Sequence, residues 1–179
     1  MRIVQIDDEY IDLLRKVFPS IMDGKRFHRS HSRKYIGVIF TIGEFNYYAP
    51  FSSPKAKDYH SDGSIKKDSI FALHMVKGDN NGSKALLGTI KLINMIPVPM
   101  KYVLGYSIDD ETDVKYQAIT CDEFKWISEN QGKITTKAKQ LYHFKENEKE
   151  LKNPGNAKVY EIILPFKEIE AFILDNNLL

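Results

Sequence analysis

The sequence predicts an α+β fold, and two observations carry that expectation. Runs rich in β-branched and aromatic residues concentrate in the first 100 residues, while helical spacing of apolar residues takes over from Val114. Strands and helices do not alternate, as they would in a parallel α/β sheet. At 179 residues the chain is expected to form one domain over residues 1–179, long enough to bury a substantial core.

The elements follow in order. Arg2 to Ile6 alternates as a short strand, and Asp7 then offers an N-cap. Asp8 and Glu9 occupy the first turn, where the helix dipole favours acids, and Ile11, Leu14 and Phe18 recur at helical spacing. A helix to about Val17 follows, with Tyr10 near its start. Tyr35 to Ile42 and Phe45 to Phe51 are separated only by Gly43 and Glu44, which predicts a β-hairpin. Further strands are expected at Ser69 to Met75 and Ala85 to Ile90, joined by a turn through residues 78–82. The two prolines of Asn94 to Pro99 predict an edge or a strand end.

Val114 to about Lys145 reads as helix, with Gly132 the expected break. After a turn at residues 153–156, Val159 to Leu164 is expected to be a strand, and Pro165 to open a last helix carrying Ile169, Phe172 and Ile173.

A single cysteine, Cys121, excludes an internal disulfide and predicts a reducing, cytoplasmic setting. The opening residues are too short an apolar patch for a signal peptide, and no apolar run approaches a membrane span, so no membrane partner is expected. The net charge of +2 hides an asymmetry of +6 over residues 1–105 and −4 over residues 106–179. Residues 25–34, reading KRFHRSHSRK, hold five permanent cations, two histidines and no acid. Such a segment is either a solvated loop or a surface for a polyanion, of which nucleic acid is the commonest. Lys25, Arg26, His28, Arg29, His31 and Arg33 are therefore candidate nucleic-acid contacts.

The stretch Tyr47 to Lys57, YYAPFSSPKAK, carries the densest chemistry. Ser52 and Ser53 supply compact donors, Lys55 and Lys57 supply positive charge, and Pro54 ends strand pairing. That combination suits a phosphate better than a core, although serine and lysine also fill ordinary surface turns. Glycine-rich phosphate loops are missing, and Cys121 has no cysteine partner for zinc. His28 and His31 sit among cations that repel a metal, and the acidic run from Asp109 to Asp113 lacks the glycine and terminal glutamate of a calcium loop. No metal or other cofactor is expected. His74, in a strand, reads as structural, and His60 as a weaker candidate beside Lys57 for phosphate contact.

Several features in order resemble the type III toxin–antitoxin endoribonucleases, the ToxN/AbiQ family. They are Tyr10 in the opening strand and helix, Arg33-Lys34-Tyr35-Ile36-Gly37, Tyr48-Ala49-Pro50 and Ser52-Ser53-Pro54-Lys55. Leu87-Gly88, Asn94-Met95-Ile96-Pro97, Trp126-Ile127, Lys137-Ala138 and Leu141-Tyr142 follow. The resemblance implies a compact, strongly curved antiparallel sheet like the MazF/PemK barrel, packed with helices. It implies RNA cleavage without a metal, the substrate 2′-hydroxyl attacking its own phosphorus to leave 2′,3′-cyclic phosphate and 5′-hydroxyl ends. It places catalysis at Ser52, Ser53 and Lys55, with Tyr10 nearby.

In such a site Ser53 binds the scissile phosphate and Lys55 stabilises its developing charge. Ser52 stands where relatives often carry threonine, and a tyrosine of some relatives is replaced near Arg29. The resemblance also implies a pseudoknot antitoxin RNA, closed assemblies of alternating toxin and RNA, cellular or phage mRNA as substrate, and phage defence by abortive infection. The alternative from the charge pattern alone is a regulator that binds RNA or DNA without cutting it.

Overall fold

The computed structural model describes residues 1–24, 32–78, 81–147 and 157–179. Its strands are β1 (Arg2–Ile6), β2 (Tyr35–Ile42), β3 (Phe45–Ser52), β4 (Ala72–Gly78), β5 (Lys84–Lys91), β6 (Ile96–Pro97) and β7 (Val103–Gly105). The helices are α1 (Asp8–Val17), α2 (Val114–Glu129), α3 (Gln131–Glu146), α4 (Ala157–Ile162) and α5 (Phe166–Asp175). An α+β architecture results, with antiparallel strands ordered β4-β5-β3-β2-β1-β7 and β6 added against β3. The sheet is open. β4 and β7 end it without pairing to each other, so the closed barrel form is not reached.

Local chemistry sets most elements. Asp7 caps α1 by accepting the N–H groups of Glu9 at 2.8 Å and Tyr10 at 3.2 Å, and Tyr10, Ile11 and Leu14 face the core. The β2–β3 hairpin turns at Gly43, whose φ of +54° is easy only for glycine. Gly88 lies against α2: a methyl there would meet Glu123 Oε1 at 2.6 Å and the Ser52 carbonyl oxygen at 3.0 Å. Helix and strand approach closely because this residue has no side chain.

Three expectations need correction. The helical half breaks at Asn130, not Gly132, which lies inside α3. The Asn130 N–H bonds the Trp126 carbonyl at 3.1 Å and its side-chain amide bonds the same carbonyl at 2.8 Å, closing α2. Val159 to Leu164 is not a strand; most of it lies in α4. There Lys145 of α3 donates to the Tyr160 carbonyl at 2.9 Å, and the Tyr160 hydroxyl donates to the Lys145 carbonyl, a tertiary tie that overrides β-propensity. The strand expected from Ser69 starts instead at Ala72, because Ser69 Oγ accepts the N–H groups of Phe71 and Ala72 in a turn.

β3 is the spine. It pairs with β2, β5 and β6, and Tyr47, Tyr48, Ala49 and Phe51 are buried along it. Beneath it Tyr47 stacks on Phe40 with centroids 4.7 Å apart, and its hydroxyl donates to Glu170 Oε1 at 2.7 Å. Tyr142 donates to the same oxygen at 3.0 Å and Lys167 to Oε2 at 2.8 Å, so the buried carboxylate is fully engaged. These contacts hold rigid the strand whose last residue is Ser52. Among the described residues no helix is long and apolar enough to cross a membrane.

Candidate active site

β3 ends at Ser52, and the chain then leaves the sheet as an exposed turn. Ser53, Pro54, Lys55, Ala56 and Lys57 are all exposed. Pro54 has no N–H to offer, so pairing with β5 stops at the Ser52–Thr89 pair. Ala56–Asp58 then forms a 3₁₀ turn, and Asp58 is buried under it. Its carboxylate accepts the Lys55 N–H at 2.8 Å, its own N–H donates to the Lys55 carbonyl at 2.8 Å, and its carbonyl accepts from Lys66 at 2.9 Å. A buried acid thus fixes the backbone of Lys55 while the ammonium group stays outside.

The structure brings Ser52, Ser53, Lys55 and Lys57 into this one turn. His60 is exposed at the base of a small loop closed by the Tyr59–Ile65 bridge and by its own N–H to the Ser64 carbonyl at 2.8 Å. Tyr10 is placed differently. It is buried, its ring stacks on Tyr102 at 4.5 Å, and its hydroxyl donates to the Pro97 carbonyl at 2.7 Å. Burial, then the charge of Tyr102, pushes its phenol well above the ordinary range, so it stays protonated. That position suits holding β6 in place rather than meeting a ligand.

Arg33 is also seated inside the protein rather than on an outer RNA-facing surface. Its side chain is 2% exposed, its Nε donates to the Asp23 carbonyl at 2.8 Å, and its guanidinium pairs with the Asp23 carboxylate at 3.3 Å. Lys34 is buried beside it, its ammonium 3.9 Å from the centre of the Tyr106 ring. Lys25, Arg26, His28, Arg29 and His31 lie outside the described residues.

The sheet adds groups the sequence reading passes over. Ser52 faces Thr89 across β3 and β5, and Thr89 faces His74 across β5 and β4. Ser52 Oγ, Thr89 Oγ1 and His74 Nδ1 are buried without a hydrogen-bond partner among the described residues. His74 Nδ1 lies 3.4 Å from Asp68 Oδ1, without hydrogen-bond geometry. Lys91, at the end of β5, is buried as well. Its burial, followed by the like charges of Lys57 and Lys55, pushes its ammonium down to about 8. A lysine inside the apolar run Leu86 to Ile93 was the available signal. No group of three or more His, Cys, Asp or Glu side chains gathers at metal-binding distance among the described residues. The apolar groove lined by Val4, Gly37, Tyr48, Tyr106 and Phe124 contains no residue of the 52–58 turn.

Residues 2–173 match the family described as Toxin ToxN, type III toxin-antitoxin system. The chain belongs to the ToxN family. It is 30% identical over 139 residues to the endoribonuclease ToxN of Bacillus thuringiensis subsp. kurstaki, covering 76% of this chain and 64% of that protein. The match thus spans slightly less than two thirds of that relative's length. The fold is shared with two solved structures. One is a type III toxin studied for its selective inhibition by a non-coding RNA pseudoknot, with a TM-score of 0.73 at 22% identity, covering 98% of this chain and 96% of that one. The other is AbiQ, a lactococcal anti-phage endoribonuclease, with a TM-score of 0.74 at 20% identity, covering 99% and 98%. Within this ToxN-family chain, the exposed Ser53–Lys57 turn at the end of β3 is the candidate catalytic surface.

Proposed function

We propose that this ToxN-family protein is an endoribonuclease toxin that cuts RNA at the 52–58 turn and is inhibited by a pseudoknot antitoxin RNA. The observation that carries this reading is the turn itself. The buried Asp58 fixes the backbone of Lys55, and Ser53 stands two residues before it on the same exposed turn, so a hydroxyl donor and a cation leave one place on the surface. Preorganised donors of this kind stabilise charge that develops in a transition state without reorganising when the reaction occurs.

In the proposed reaction the ribose 2′-hydroxyl attacks the adjacent phosphorus and the 5′-oxygen leaves. The products carry a 2′,3′-cyclic phosphate and a 5′-hydroxyl. Ser53 donates to a non-bridging phosphate oxygen, and Lys55 offsets the added negative charge on the pentacoordinate centre. Ser52 supports the turn from the sheet, and Lys57 and His60 contact flanking phosphates. Tyr10 serves from the core, by fixing β6 against β3. The substrates proposed are cellular or phage mRNA, with antitoxin and toxin alternating in a closed assembly and the whole acting in phage defence by abortive infection.

The test is cleavage of RNA by the purified protein in excess chelator, with Ser53→Ala and Lys55→Ala as controls. Removal of one such donor is expected to cost roughly 10²–10³ in rate. A single deoxyribose at the cleaved position should stop the reaction, and the normal products should carry cyclic phosphate ends. Binding without cleavage by the unaltered protein would establish the regulator instead, and wild-type rates in both variants would remove the turn from catalysis.

A further inference from the structure

Lys91 stands apart from the other buried polar residues. It lies two residues beyond Thr89 on β5, so its side chain leaves the same face of the sheet. Thr89 is in register with Ser52 and the two strands are antiparallel, so Lys91 shares the face of Ser52 and lies back along β3 from the end that runs into the turn. Only 8% of Lys91 is exposed, and among the described residues it enters no ion pair. A buried ammonium ordinarily needs a partner. The charges that act on it come from Lys57 and Lys55 in the turn and Arg33 before β2, with Asp58 the opposing acid. Asp58 already holds the Lys55 N–H, and the Arg33 guanidinium is paired with Asp23.

Across β4 the residue paired with Lys91 is Ala72, which carries no charge, and the next residue on that face is His74. The sheet beneath is unsatisfied too, because Ser52 Oγ and Thr89 Oγ1 are buried and unbonded among the described residues. Cations therefore converge here from three segments, β5, the turn and the residues before β2, over a polar floor, with too little negative charge to balance them. An anion completes this arrangement.

We propose that Lys91 is a further catalytic lysine of the cleavage site, contacting the scissile phosphate from β5 while Lys55 contacts it from the turn. The proposal rests on the reading of that turn as the site of RNA cleavage. It has a consequence that a structural lysine would not produce. The folded protein holds the Lys91 ammonium near a value of about 8, and a bound phosphate favours its charged form. Above that pH, RNA binding must draw a proton from solvent.

The experiment uses RNA with one deoxyribose at the cleaved position, which binds without being cut. Calorimetric titration at about pH 8.5, in two buffers of different ionisation enthalpy, counts the protons taken up on binding. The wild-type protein should take up a measurable fraction of one proton. Lys91→Met, which keeps the buried stem, should abolish that uptake and lower kcat roughly 10²-fold with a smaller change in KM. Lys91→Arg should also abolish the uptake, because arginine stays charged, yet retain more cleavage than the methionine variant. No proton uptake by the wild-type protein overturns the proposal whether or not Lys91→Met folds. Wild-type kcat in Lys91→Met, with Ser53→Ala and Lys55→Ala inactive, overturns the role of Lys91 and leaves the turn intact. Wild-type rates in all three overturn the site itself.

Discussion

Asp58 and Lys55 bond each other twice within one short turn, once through the Asp58 carboxylate and once from backbone to backbone. The Asp58 carboxylate accepts the Lys55 N–H at 2.8 Å, and the Asp58 N–H donates to the Lys55 carbonyl at 2.8 Å. Asp58 is buried and Lys55 exposed, so the acid acts as an anchor and leaves the ammonium available.

Asp58→Ala should therefore weaken cleavage without removing any group that touches RNA. The expected result is a fall in kcat approaching that of Lys55→Ala, because a reacting group displaced by about 1 Å can cost on the order of 10² in rate. Asp58→Asn keeps an oxygen that can accept the Lys55 N–H and should recover much of the activity. Steady-state kinetics on a defined RNA check this, and equal, undiminished kcat in both variants would show that the turn holds itself.

Arg33 should behave unlike a surface phosphate contact. Breaking a fully buried ion pair costs about 3–5 kcal/mol; here Arg33 is buried but Asp23 is 24% exposed and also lies 3.9 Å from Arg15, so the loss should be smaller than that. Arg33→Met is expected to lower the midpoint of urea unfolding clearly. The slope of RNA affinity against salt should change little, since that slope counts phosphates neutralised by exposed cations. A flatter salt slope with unchanged stability would place Arg33 at the RNA after all.

Glu123 gives a pH dependence of stability. It is buried in α2 beside Gly88, and burial pushes its carboxyl up to about 8. The ordinary value in an unfolded chain is about 4.3, so between these limits the folded state binds more protons than the unfolded state. This residue's contribution therefore makes stability fall as pH rises from about 4.3 to about 8, and flattens outside that window. Glu123→Gln, which mimics the protonated acid, should melt higher than the wild type at pH 8 and converge with it toward pH 4.3. Melting curves across that range decide it, and a constant offset would exclude Glu123 as the cause.

The sequence by itself determined the elements whose signals are local. The Asp7 cap, the Gly43 turn, the strands β1, β2, β3 and β5 and the Pro165 start of α5 all follow from neighbouring residues. So does the crowding of Ser52, Ser53, Lys55 and Lys57 at the end of β3, because Pro54 has no N–H with which to carry the pairing to β5 further. The tertiary structure alone decided what is buried and what meets across the sheet. Arg33 looks like one more cation of a basic segment until Asp23 closes on it. Tyr10 looks like a reagent until its hydroxyl reaches Pro97, far along the chain. Thr89 and Lys91 look like ordinary strand residues until register brings Thr89 opposite Ser52 and folding buries Lys91 where the charges of Lys57 and Lys55 act on it. Periodicity fixes which face a side chain leaves from, whereas its desolvation and its charged neighbours depend on segments distant in sequence, and those two quantities set its chemistry.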